Sequence, residues 1–321
     1  MQVIWLEKQT LSIRKDVPVP DPGEGEALIK ILLAGLCSTD LELVRGYYPF
    51  TGIPGHEFVG RVVSSPTDPA WIEKRVVGEI SIACGKCDTC KSGLNRHCER
   101  RKTLGIHDWN GAFAEYLLLP LENLHVVPTQ IPNEVAVFTE PLAAAYEILE
   151  QTSLEISDRV LVIGAGRLGQ LIASVIQGIG CHLDVVARYP RQRELLAGGN
   201  INVIGEDGIY TQKYDVVVEA TGTAGGFELA MKSIHPRGRI ILKSTYKGDL
   251  EVNFSRIVVD EITLIGSRCG SFDPALRLFA GGKIDPRQLI DATYSLDQGM
   301  IAFDRASRPG VLKVLLQPGE A

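Results

Sequence analysis

The sequence predicts an α/β chain in which an antiparallel, barrel-like β domain precedes a doubly wound parallel sheet. Three observations carry that prediction. Up to about residue 140, short apolar segments broken by Gly and Pro alternate with period two. From there to about residue 270, near-continuous apolar strands alternate with segments of helical spacing, the pattern of a parallel sheet buried on both faces. At 321 residues the chain is long enough for two domains with separate cores.

The elements follow in order. VPVPDPGEGE at 17–26 reads as a short extended entry into the first long strand. ALIKILLAGL, FVGRVV, RVVGEISI, AFAEYLLLP and LHVVP then supply the β domain, with no long helical stripe competing. Near residue 132 the character changes: PNEVAVFTEPLAAAYEILEQT has apolar residues at helical spacing, and Pro132 sits where a first helical turn tolerates it. RVLVIG, HLDVVAR, YDVVVEAT, GRIILKS and EITLIGS follow as strands, with GRLGQLIASVIQGI, PRQRELLAG and GGFELAMKSI as helices between them. The tail from 271 holds one helix, DPALRLFAGG, and one strand, GVLKVLL. It is too short to be a domain, so it is expected to return to the first. The predicted domains are therefore 1–140 with 271–321, and 141–270.

Composition narrows the function. With 45% hydrophobic and 22% charged residues the chain is an ordinary globular protein. A net charge of −6 leaves no basic footprint for nucleic acid or an anionic membrane. The opening MQVIWLEKQTLSIRKD lacks an apolar signal core, and no apolar run approaches the roughly 20 residues of a membrane helix. A cytoplasmic location is expected, where clustered thiols are more often metal ligands than disulfides.

VLVIGAGRLGQLIA places Gly164, Gly166 and Gly169 as G-x-G-x-x-G between a strand and a helix. Glycines there permit a tight turn and close approach of a pyrophosphate, and the helix start, with Arg167 and Leu168, offers N–H groups to the phosphates. Thr221, after the strand YDVVVEA, is a further expected cofactor contact. An NAD site usually carries an acidic residue at the end of the second strand. Here that strand ends in Ala187 and Arg188, while Asp184 lies mid-strand, too early to reach the ribose. Arg188, with Arg191 or Arg193 behind it, can pair with a 2′-phosphate, so NADP(H) is favoured over NAD(H).

Four of seven cysteines, Cys84, Cys87, Cys90 and Cys98, fall within fifteen residues as C-x2-C-x2-C-x7-C. Such a set can close a tetrahedral shell with no position left for substrate, which makes the zinc it would hold structural. A second, quieter set comprises Cys37, His56 and Glu57, with Glu140 in the segment TEPLA. Thiolate, imidazole and carboxylate form a zinc ligand set, and three protein ligands leave a fourth place for substrate.

With these motifs, GLCSTD, PGHEFVG, the four-cysteine lobe, TEPLA and VLVIGAGRLG, the sequence resembles the zinc-containing medium-chain dehydrogenases, the alcohol, polyol and threonine dehydrogenase group. The resemblance spans nearly the whole chain. It implies a GroES-like β-barrel catalytic domain plus a Rossmann parallel-sheet domain, two Zn²⁺ per chain, a small alcohol, polyol or carbonyl substrate, and a homodimer or homotetramer. It assigns Cys37, His56 and Glu140 as catalytic zinc ligands, with Glu57 beside the metal as ligand or exchanging with substrate. Thr39 takes the role of hydrogen-bonding the reacting oxygen and passing on its proton, Asp40 supports the ligands, and Lys313 falls where relatives place a cation near the cofactor pyrophosphate. Many relatives carry His five residues after the first cysteine ligand; here the position is Glu42, so the relay ends in a carboxylate or leads directly to water. Carboxylate as third ligand resembles the polyol, glucose and threonine branch.

The expected activity is hydride transfer between an alcohol or polyol and NAD(P), zinc acting as Lewis acid on the substrate oxygen. The alternatives are a dehydrogenase of an amino alcohol or biosynthetic intermediate, and a non-enzymatic NADPH-binding relic of the same fold. Cys181 and Cys269 read as buried thiols, and His107, His125, His182 and His235 have no ligand-like partners in sequence. Trp109 is equally a pocket wall or a turn cover.

Overall fold

The computed structural model describes residues 1–197, 199–208, 211–246 and 249–319. Two compact units divide the chain: Met1–Glu140 with Ser271–Ala321, and Pro141–Gly270.

The first unit opens with a hairpin of β1 (Val3–Glu7) and β2 (Thr10–Arg14). Its main sheet uses β3 (Glu26–Gly35), β4 (Glu57–Ser64) and β5 (Arg75–Gly78). A small separate sheet of β6 (Ser81–Ile82), β7 (Lys102–Leu104) and β8 (Asp108–Trp109) flanks the cysteine-rich segment. β9 (Tyr116–Pro120) and β10 (Leu124–Val126) then rejoin the main sheet. The helices here are short: α1 (Ser38–Val44), α2 (Asp88–Lys91) and α3 (Asn133–Ala136). The helix expected to run from 132 is interrupted: Pro132 precedes α3, which ends before Val137, and α4 begins afresh as Thr139–Gln151.

The second unit is a six-stranded, all-parallel sheet. Its strands are β11 (Arg159–Ile163), β12 (His182–Val186), β13 (Ile201–Ile204), β14 (Tyr214–Glu219), β15 (Ile234–Leu242) and β16 (Thr263–Gly266). The spatial order is β13-β12-β11-β14-β15-β16, so the chain reverses its direction of travel between β11 and β14. Connecting helices α5 (Arg167–Gln177), α6 (Pro190–Leu196), α7 (Ala224–Ser233) and α8 (Phe254–Val259) complete the crossovers. Residue 198, the last of the segment expected to form α6, lies outside the described residues. Leu161, Ile163, Val217, Ala230, Ile234 and Ile240 build one core cluster of the sheet, which is why its strands read as apolar runs rather than alternating ones.

The returning tail holds more than the sequence suggested: α9 (Phe272–Ala280), β17 (Ile290–Ser295), α10 (Gly299–Ser307) and β18 (Lys313–Gln317). The main sheet of the first unit thereby runs β10-β5-β4-β3-β18-β17, with β9 also on β3. It is not wholly antiparallel, because β17 and β18 pair in parallel. The ten-residue β3 shares one edge between two partners, β9 over Glu26–Lys30 and β18 over Ala34–Gly35.

Candidate active site

Strand register builds the site. β4 sets Glu57 opposite Gly35, and β18 sets Leu315 opposite the same residue on the other side. The lack of a side chain at Gly35 is required, since a Cβ there would lie 2.6 Å from Glu57 Oε2 and 3.5 Å from Lys313 Cδ. Beside that gap Lys313 Nζ donates to Glu57 Oε2, and it reaches Leu36 O at 3.5 Å. Cys37 lies two residues past Gly35 as the N-cap of α1, and His56 immediately precedes β4. The register that pairs β3 with β4 therefore brings both to one place.

The donor atoms of Cys37, His56 and Glu57 all lie within 4.8 Å of one another. A four-coordinate zinc bound at S, N and O requires ligand atoms roughly 3.3–3.6 Å apart, which this group accommodates. Asp40, fully buried, organises two of the three: its Oδ2 accepts from Cys37 N at 2.8 Å, and its Oδ1 lies 3.3 Å from His56 Nδ1. Neither Asp40 Oδ1 nor His56 Nδ1 makes a hydrogen bond in this geometry. Burial of His56 opposes its protonation, yet Asp40 and then Cys37 hold its pKa well above the usual imidazole value. A metal held by the imidazole would take the place of that proton.

The carboxylate whose oxygen lies with Cys37 and His56 in the 4.8 Å group is Glu57; Glu140, the other expected carboxylate, stands in the first turn of α4. Lys313, expected beside a cofactor pyrophosphate, is only 3% exposed and pairs with Glu57. Thr39 Oγ1 lies 3.8 Å from Cys37 Sγ, close to the cluster. Glu42 is paired with Arg45 at 2.5 Å.

The four remaining thiols of interest, Cys84, Cys87, Cys90 and Cys98, form the other group whose donor atoms lie within 4.8 Å. Sγ–Sγ separations of 3.4 Å for Cys87–Cys90 and 3.8 Å for Cys87–Cys98 are too long for a disulfide. They approach the ~3.8 Å edge of a tetrahedron with Zn–S near 2.3 Å. Backbone N–H groups of Cys90 and Glu99 draw the Cys87 thiol down to about 6, while burial and then the neighbouring Cys87 push the Cys90 thiol up. Trp109 Nε1 donates to Leu118 O at 2.9 Å, and Lys102 lies over its ring.

In the second unit the glycine turn follows β11. Gly164 adopts φ +101°, with Thr221 Cγ2 only 2.8 Å from where a Cβ would be. A Cβ on Gly169 would lie 1.8 Å from Gly164 O, so α5 packs directly onto the turn. Gly166, the N-cap of α5, has nothing within 4 Å of its Cβ position, an open approach of the kind a pyrophosphate uses. Arg167 and Leu168 open the helix behind it. Thr221 braces the turn from below, its Oγ1 and N both directed at Glu219 Oε1. Arg188 is 72% exposed and donates to Glu206 at 2.9 Å, while Arg193 Nε is engaged by Ala187 O at 2.9 Å. Asp184 is fully buried and not at a sheet edge; it accepts from Tyr214 OH at 2.5 Å and Asn202 Nδ2 at 3.0 Å.

Sequence reasoning missed the Lys313–Glu57 pair and the partners of His125, whose ring nitrogens lie 3.3 Å from Glu79 and 3.0 Å from Asp273. No local signal could have found either, because the partners are separated by scores to hundreds of residues. Among the described residues no helix is long and apolar enough to cross a membrane.

A thiol, imidazole and carboxylate group able to hold a metal, and a glycine turn at the switch of a parallel sheet, fit a metal-dependent oxidoreductase of the dinucleotide-using kind. Comparison with known proteins agrees. The alcohol dehydrogenase GroES-like domain family matches residues 23–129. The chain is 30% identical to the L-threonine 3-dehydrogenase of Pyrococcus horikoshii over 94% of each chain. It is 28% identical to the sorbitol dehydrogenase of Halalkalibacterium halodurans over 95% of each. A Sinorhizobium meliloti 1021 chain solved with NADP bound superposes with a TM-score of 0.91, at 25% identity and 99% coverage of both. The protein belongs to the zinc-containing medium-chain dehydrogenase/reductase family.

Proposed function

We propose that the protein is a zinc-dependent dehydrogenase that moves a hydride between a small alcohol or polyol, or the corresponding carbonyl, and NAD(P), with NADP(H) favoured. The observation that carries this reading is the convergence of Cys37, His56 and Glu57 donor atoms within 4.8 Å of one another. When bound, zinc supplies a Lewis acid to the substrate oxygen and the nicotinamide supplies the hydride acceptor.

The chain's own residues do the rest. Cys37, His56 and Glu140 hold the catalytic cation, with Glu57 beside it as ligand or in exchange with substrate, and Asp40 lies 3.3 Å from His56 Nδ1 behind them. Thr39 Oγ1 accepts the substrate hydroxyl proton beside the ligands, and Glu42, three residues along α1, takes it towards solvent. Gly164, Gly166 and Gly169 with the α5 N-terminus hold the pyrophosphate, and Arg188 at the end of β12 supports the NADP(H) preference. Cys84, Cys87, Cys90 and Cys98 hold the second, structural zinc. The polyol reading draws on the carboxylate ligand and on the sorbitol dehydrogenase of H. halodurans.

Metal analysis and a panel of alcohols, polyols and aldehydes assayed with both cofactors test this. Wild type is expected to hold two zincs, and Cys37→Ser to hold one, remain folded and lose turnover. A Cys37→Ser protein with full activity would overturn the mechanism.

A further inference from the structure

The end of β12 lacks a carboxylate, but its neighbour supplies one. β13 lies beside β12, and Ala187 N donates to Ile204 O at 3.2 Å, so the two strands remain together past Val186. Two residues beyond β13, Glu206 opens a single helical turn, and its Oε1 accepts from Arg188 Nη2 at 2.9 Å. Both side chains are largely in solvent, at 72% and 52% exposure, so the bridge is weak and readily parted. Arg193 is not free in the same way, because its Nε is held by Ala187 O at 2.9 Å.

In a doubly wound sheet the adenosine ribose lies at the end of the second strand, where an acidic residue meets the 2′-hydroxyl or an arginine meets a 2′-phosphate. Here both kinds of group stand at that place, one from each of two adjacent strands. We propose that Glu206 is a specificity-determining residue for the 2′ position of the cofactor ribose, acting against Arg188. This rests on the dinucleotide reading above.

The pair gives two arrangements. A 2′-hydroxyl donates to Glu206 with the Arg188 bridge intact, doing from β13 what an acidic residue at the end of β12 does elsewhere. A 2′-phosphate draws the guanidinium fork to itself and leaves Glu206 facing a doubly charged group. Coulomb repulsion between a carboxylate and a phosphate dianion a few ångströms apart in solvent corresponds to about a tenfold weakening of binding. Glu206 therefore limits the preference that Arg188 creates, and the site accepts both dinucleotides.

The test is fluorescence titration of the full-length protein with NADPH and with NADH, for wild type, Glu206→Gln and Arg188→Met. Glu206→Gln is expected to raise the ratio Kd(NADH)/Kd(NADPH) about tenfold, and Arg188→Met to lower it by a similar factor. The Glu206→Gln gain should shrink in high salt. A ratio unmoved by Glu206→Gln, with both cofactors still bound, overturns this inference alone. Failure of wild type to bind either NADH or NADPH overturns the dinucleotide reading and this inference with it.

Discussion

Lys313→Met removes one charge from the buried Lys313–Glu57 pair beside the proposed metal site. Glu57 is 1% exposed and Lys313 3%, so neither group has solvent to fall back on. Deleting one partner of such a pair typically costs about 3–5 kcal/mol, because the remaining charge is left buried without compensation. Methionine keeps most of the aliphatic stem, so little packing is lost. The ammonium also lies 5.4 Å from the Phe138 ring centroid, a contact worth roughly 0.5–2 kcal/mol that methionine forfeits. A loss near 4 kcal/mol is a large share of the ~5–15 kcal/mol that keeps a domain folded. The three tryptophans, Trp5, Trp71 and Trp109, all lie in the first unit, so urea unfolding followed by tryptophan fluorescence reports on that unit. In EDTA the variant should lose about 3–5 kcal/mol relative to wild type, and adding Glu57→Gln should recover at least about 2 kcal/mol of it. With zinc the gap should narrow, because the cation becomes the counter-charge to Glu57. A loss below about 1 kcal/mol in EDTA, or a double variant no more stable than the single, would refute the account of this pair.

Gly169→Ala drives a Cβ to 1.8 Å from Gly164 O, so α5 must lift from the turn; NADPH and NADH affinity should both fall at least about tenfold, read by fluorescence titration. His125 is held between Glu79 and Asp273: burial works against its charge, but the two carboxylates raise its pKa above the ordinary value. A raised folded pKa gives stabilisation that is full below the unfolded value near 6.5 and is lost as pH rises through the folded one. The stability difference between wild type and His125→Asn should therefore be on the order of 1 kcal/mol at pH 6 and shrink by pH 9, measured by urea titration at each pH.

The reach of the sequence differs from place to place for definite reasons. The four-thiol cluster was readable because its members lie within fifteen residues. The glycine turn was readable because strand, turn and helix are consecutive, so Gly164, Gly166 and Gly169 act on one another locally. β17 was missed although IDATYS alternates apolar and polar residues, because the run is short and only half-buried at most positions. The helix expected over 132–152 was misjudged because its apolar spacing continues through Val137 and Phe138, where the backbone does not.

Local spacing and periodicity, then, determined the two sheet types, the thiol cluster, the glycine turn and the candidate residues Cys37, His56, Glu57 and Glu140. The tertiary structure alone placed Glu57 beside Cys37 and His56 and set Lys313 against it. Glu57 stands there because β4 pairs with β3 at Gly35, and Lys313 because a strand 256 residues later lies along the other edge. Pairing partners so far apart are selected by burial and strand register in the assembled sheet, and no window of neighbouring residues contains that information.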